Sequence, residues 1–220
     1  MLHGVTNVDV ARSRTPCAGY ARRVAPILLL QSDGTLIDGT RREIDEPNVT
    51  LVRSGRLDRP HQTWGPAGAA MLEALATGWR TSVANGTRVM VRPHHADVLS
   101  DIQRCLAFAR AERSGLLLAM DPVAILAPSM LDRAEEHLRR SVDATRECPG
   151  LGAVVLTNAR MDKETHASPI HDGRLSSDVV RQLATGLLEI AAARRVPVIC
   201  LADRWAEQSG VLASWGLAIG

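Results

Sequence analysis

The chain has 220 residues, 45% hydrophobic and 23% charged, which is ordinary globular composition and excludes a disordered, collagen-like or disulfide-dense protein. Twenty-six basic and 24 acidic residues leave a formal net charge of +2, too balanced for the clustered basic excess that marks nucleic-acid binding. Aromatic residues are 3%, so the core must be aliphatic, and a base-stacking surface for single strands has almost nothing to stack on.

A chain of this length buries roughly 70% of its unfolded surface and needs no metal or disulfide staple to fold. Lys163 is the sole lysine, so any Schiff base or phosphate-holding lysine would have to be Lys163. Cys17, Cys105, Cys148 and Cys200 form no CxxC pair. No apolar segment follows a basic start, and no apolar run approaches a membrane span. These features predict a reduced, cytoplasmic protein with no membrane or nucleic-acid partner.

Residues 1–25 carry no period and read as an irregular N-terminal segment before a single α/β domain over 26–220. Residues 26–31 are a continuous apolar run closed by Ser32-Asp33-Gly34, the pattern of a buried strand and turn. A charged, loop-like stretch runs to Pro47, and Val49–Arg53 reads as a second strand. From Pro66 the apolar spacing turns helical, and Pro66 suits a first turn. Asn85-Gly86 signals a turn before a strand over 88–92, stopped by Pro93. Residues 97–113 have the spacing of an amphipathic helix. A strand follows over 116–120 and ends at Asp121-Pro122.

Ser129 is placed to cap the next helix, which Glu135/Arg139 and Glu136/Arg140 support at four-residue spacing. Residues 152–157 form another strand, and a polar segment runs from 158 to 176. A helix over 177–195, a strand over 197–201 and a short helix from 205 to 215 close the chain. The six strands are unbroken apolar runs alternating with helices, the pattern of a parallel sheet buried on both faces. Two architectures fit, a barrel and an open doubly wound sheet. In either one, function gathers at the carboxyl ends of the strands.

That rule selects Gln31, Asp33, Arg53, Arg92, His94, His95, Asp121, Asn158 and Asp203. His94 and Asp121 are candidate acid/base groups or metal ligands, and Asp203 is a second candidate ligand. Set against these roles, His94 serves equally as a cap and Asp121 as a turn former before Pro122. Arg53, Arg92, Asn158 and Lys163 are candidates for holding substrate. The segment after Asn158 holds Asp162, Glu164, His166, His171 and Asp172 and has the length of an active-site loop, though a solvated polar loop fits it as well. The run Leu29–Leu36 has the shape of the haloacid-dehalogenase phosphatase motif, but Gln31 stands where that family keeps its nucleophilic Asp. An amide cannot form the aspartyl-phosphate.

Arg88–His94, Gly115–Pro122 and Gly152–Asn158 together resemble the sugar phosphate isomerase/epimerase family, over roughly residues 49–203. The resemblance implies a TIM-type barrel, incomplete or irregular in its N-terminal part. It implies a divalent metal (Mn, Mg, Zn or Co), with Asp121 and, loosely, Asp203 among its ligands. It implies proton transfer or hydride shift beside the carbonyl of a small sugar or sugar phosphate. Arg92 stands where the family's first metal-binding Glu is expected, and Ala124 where its His is expected. Ala153, Val155 and Asn158 replace further ligands.

Those departures motivate a second expectation, a non-catalytic binding or scaffold domain on the same fold, with Arg92 holding an anionic ligand without metal. A degenerate phosphatase-like fold is the third. A barrel that failed to close would leave a strand edge for a second copy of the chain to cover.

Overall fold

The computed structural model describes residues 25–31, 36–38, 49–56, 63–162 and 164–217. The irregular segment expected before Ala25, the turn at Ser32–Gly34 and Lys163 lie outside the described residues.

Apolar runs with β-branched or leucine-rich sequence form the strands: β1 (Ile27–Leu30), β2 (Leu36–Asp38), β3 (Val49–Arg53), β4 (Arg88–Arg92), β5 (Leu117–Met120), β6 (Leu151–Leu156) and β9 (Val198–Leu201). They make one seven-stranded sheet in the order β2-β1-β9-β6-β5-β4-β3. All its pairings are parallel except β1–β2. From β3 to β9 each strand is added on the same side as the last, and β9 then pairs with β1. The row therefore lacks the reversal of direction that an open doubly wound sheet requires. Its two ends, β2 and β3, approach each other, so the sheet is nearly closed and barrel-like.

Strand residues alternate between two apolar clusters, as the two-residue period of a pleated strand demands. Met90, Ala119, Ala153, Val155 and Ile199 meet on one face, with Leu28, Leu30 and Leu51 against them. Ile27, Leu29, Val91, Leu118, Met120, Val154, Leu156, Val198 and Cys200 meet the helices on the other. Two alanines in the first cluster let the strands curl around a narrow interior. The helices are α1 (Pro66–Ala84), α2 (Ile102–Ala111), α3 (Ala134–Arg146), α4 (Ser177–Arg194) and α5 (Trp205–Ser214). Among the described residues, no helix is long and apolar enough to cross a membrane.

Several elements differ from the sequence-based expectation. The charged stretch before Pro47 contains β2, because Leu36 is buried and Leu36–Asp38 pairs antiparallel with β1. The helix expected from residue 97 begins at Ile102. Residues 97–99 spend their hydrogen bonds elsewhere: Val98 N–H donates to Gly55 O at 2.8 Å and Leu99 N–H to Ser54 Oγ at 3.2 Å. Asp101 is the cap instead, accepting from the N–H groups of Gln103 and Arg104. Ser129 caps nothing, because a 3-10 turn over Pro128–Arg133 precedes α3. The polar segment after Asn158 contains a two-stranded antiparallel hairpin, β7 (Asn158–Asp162) and β8 (Glu164–Ser168).

The helical layer carries one strong ionic clamp. Arg80 on α1 donates to Glu112 after α2 through Nε at 3.2 Å and Nη2 at 2.9 Å, and to Glu73 through Nη1 at 2.7 Å. Burial opposes the charge on Glu112, but bonds from Ser114 and Arg80 outweigh it and hold the carboxyl down at about 2. A folded-state value below the usual 4.5 means stability that is present above pH 4.5 and lost as pH falls toward 2. Glu112→Gln is therefore expected to cost about 1–2 kcal/mol at neutral pH, less than the full shift because Arg80 stays partly solvated. Urea titrations at pH 7 and pH 2 check this: the gap between variant and parent should close at the lower pH. A gap that persists at pH 2 would assign the loss to packing rather than charge.

Candidate functional site at the carboxyl edge of the sheet

Parallel strands end side by side, so the residue after each strand falls into one row. Arg53 ends β3 and pairs in register with Arg92 at the end of β4. Asp121 follows β5 and Thr157 follows β6. Arg92 donates to Asp121 Oδ2 through Nε at 2.9 Å and through Nη2 at 2.5 Å. Asp121 Oδ1 accepts from Thr157 Oγ1 at 3.2 Å and from the Ala124 N–H at 3.1 Å. Asp121 is fully buried, whereas the Arg92 side chain keeps 17% of its surface exposed. A charge-assisted chain thus crosses three neighbouring strands, with its cationic end toward solvent.

Arg53 forms a second pair of the same kind. It donates to Asp97 Oδ2 through Nε at 3.1 Å and to Oδ1 through Nη2 at 2.7 Å. Asp97 is 1% exposed and the arginine side chain 55% exposed. Two arginines therefore stand at the ends of adjacent strands, each anchored from below by a buried carboxylate.

The histidines lie on the connection after β4. His94 Nδ1 accepts from the Ala96 N–H at 3.1 Å, so that nitrogen carries no proton and a neutral His94 holds its proton on Nε2. The His94 and His95 rings are 4.4 Å apart and tilted by 35°. Burial pushes the His95 pKa down, against the opposing pull of its Ala124 bond and the Asp97 charge.

Two predicted residues are occupied otherwise. Asn158 is 2% exposed and spends its amide on backbone. Its Oδ1 accepts from the N–H groups of Ala159 at 2.7 Å and Leu175 at 3.2 Å. Its Nδ2 donates to Ile170 O at 3.1 Å and Leu175 O at 3.4 Å. The residue pins the hairpin to the segment before α4. Asp203 is exposed, and the buried Gln208 holds its backbone by donating to Asp203 O at 2.6 Å. In the same region His171 Nε2 lies 3.4 Å from Glu207 Oε2.

Among the described residues, the side chains around Asp121 do not fit a divalent metal. Asp121 gives both oxygens to Arg92, Thr157 and Ala124, and a metal at Oδ2 would sit against a guanidinium. Among the described residues no three His, Cys, Asp or Glu side chains gather around one point. Of the expected ligand pair, Asp121 is bonded to Arg92 and Asp203 faces solvent.

Two participants lie outside the sequence-based candidates: Asp97, at the start of the expected helix, and Thr157, at the end of an expected strand. Asp97 meets Arg53, 44 residues before it, a separation that leaves no local signal.

No protein-family model matches the chain, and no curated protein matches it. Among solved structures the chain is similar to protein SMc04130 from Sinorhizobium meliloti, at 14% sequence identity and a TM-score of 0.43. The match covers 78% of this chain and 65% of that one.

Proposed function

We propose that the carboxyl edge of this barrel-like domain binds a small anionic sugar derivative, a sugar phosphate or sugar acid, without a divalent metal. In this reading the domain is a divergent TIM-type relative of the sugar phosphate isomerases and epimerases. The cationic role at the strand ends has passed to arginine. One observation carries the reading: the side-on pair of Arg92 with the fully buried Asp121. Its two bonds run through Nε and Nη2 and leave Nη1 outside the pair. Asp121 fixes the guanidinium plane, so little rotamer entropy is lost when an anion binds. Arg53, one strand away and more exposed, keeps Nη1 outside its Asp97 pair and offers it to the same anion.

Thermal unfolding tests this directly. In EDTA, inorganic phosphate or glucose 6-phosphate is expected to raise the midpoint in a saturable way. At a ligand concentration of 100 times Kd the rise should be about 5–10 °C. Mn, Mg, Zn and Co added singly without the anion should leave the midpoint in place. A saturable metal shift together with no anion shift would remove this reading in favour of a metal enzyme.

A catalytic variant of the reading draws support from the two histidines. Their rings lie side by side on the connection after β4, and imidazole is the side chain most often used for proton transfer of the kind needed beside a sugar carbonyl. Deuterium entering a carbon-bound position of fructose 6-phosphate in D2O, with EDTA present, would establish that activity. Absence of exchange alongside anion binding would leave a binding domain.

A further inference from the structure

Trp64 is the sole large hydrophobic side chain exposed among the described residues, with 66% of its surface open to solvent. A single exposed apolar residue is common and by itself means little. This one is held in place. The Arg104 guanidinium lies over its ring, 5.0 Å from the centroid. Arg104 is in turn tied to the backbone by donating through Nη1 to the carbonyl of Thr63, the residue before Trp64. An exposed indole fixed in this way has already lost the torsional freedom that binding would otherwise take from it.

Its position is also specific. Trp64 ends the connection from β3 to α1, and Arg104 lies in the first turn of α2, after the connection from β4. Both connections leave the carboxyl ends of strands that carry Arg53 and Arg92. They are joined by the Val98-to-Gly55 and Leu99-to-Ser54 hydrogen bonds and by a β-bridge between Arg56 and Asp97. The indole therefore stands at the same end of the sheet as the two arginine forks, on a joined pair of loops.

We infer that Trp64, backed by Arg104, is a stacking platform for the apolar face of a pyranose ring, at the same end of the sheet as the anion site. The aliphatic C–H groups on one face of such a ring are slightly positive, and they pack against the negative face of an indole. Arg104 serves twice, as the cation that orients the ring and as a donor to sugar hydroxyls at its edge. The inference names the sugar end of the ligand proposed above and rests on that reading for the anionic end.

The test separates the two ends by using two probes on the full chain. Methyl glucoside, methyl galactoside and methyl xyloside are neutral and report the platform alone. Saturation-transfer NMR should show their ring protons receiving signal from the parent protein and losing it in Trp64→Ala, with Trp64→Phe keeping most of it. Calorimetry with glucose 6-phosphate should show about tenfold weaker binding in Trp64→Ala, while inorganic phosphate binds parent and variant equally. No transfer to any of the neutral sugars, or equal transfer in Trp64→Ala, overturns the platform whatever phosphate does. Transfer that depends on Trp64 with no phosphate binding would uphold the platform and remove the anion reading.

Discussion

Arg92→Met is expected to cost about 3–5 kcal/mol of folding stability, a large share of what a domain has. The physical reason lies in Asp121. It is fully buried, and without the guanidinium it keeps only a hydroxyl and one N–H as partners for its negative charge. An uncompensated carboxylate in a low-dielectric surrounding is the expensive half of a broken ion pair. Arg92→Met combined with Asp121→Asn should recover most of the loss. Asparagine still accepts from Thr157 and Ala124 through its oxygen and brings no charge. Urea unfolding of the four proteins in this cycle should give a coupling energy of about 2–3 kcal/mol. Additive single effects would show that the pair is not electrostatically linked. The double variant also serves function: it should fold and show no thermal shift with phosphate.

The second large effect belongs to Asn158→Ala, expected to cost about 3 kcal/mol. Four backbone partners lose their bonds at once, in a place where water does not reach them. Gly173 offers a companion test. A β-carbon there would lie 2.3 Å from Asn158 Cγ and 2.5 Å from Oδ1, closer than any real contact. Gly173→Ala should therefore destabilise the parent by about 2–3 kcal/mol and the Asn158→Ala protein by less, because the amide carbon and oxygen are gone and only the contact at 2.7 Å with the residue-158 β-carbon remains. Hydrogen exchange should locate the damage in the hairpin and the segment before α4, leaving β4 to β6 protected. Equal cost of Gly173→Ala in both backgrounds would assign its strain to the residue-158 β-carbon rather than to the amide.

Both expectations turn on side chains that looked alike from the sequence. Asp121 and Asn158 each follow an apolar strand, and each reads as a group offered to a ligand. The strand ends themselves were legible, because a run such as Gly152–Leu156 can be buried on both faces only within a sheet flanked by helices. What each polar residue then touches depends on segments far away in the chain. Asp121 meets Arg92, 29 residues before it, and Thr157, 36 residues after it. Asn158 meets Leu175, 17 residues on.

Local preference also failed where backbone bonding overrode it. Residues 97–99 fall within the expected helix, yet they bond to the loop after β3, and the helix waits for the Asp101 cap. The charged stretch before Pro47 hid β2, whose buried Leu36 offers too short a signal among its polar neighbours.

By itself, the sequence determined the alternation of strands and helices, the parallel character of the sheet, and the row of polar residues at its carboxyl edge. Each of these follows from period and burial, which are properties of neighbours along the chain. Only the tertiary structure decided that the sheet winds one way and nearly closes. It also decided that Arg92 and Arg53 are held by Asp121 and Asp97, that Asn158 serves the backbone, and that Trp64 stays in solvent against Arg104. Those outcomes depend on which charges and amides meet across long sequence separations, and pairing of that kind leaves no local pattern to read.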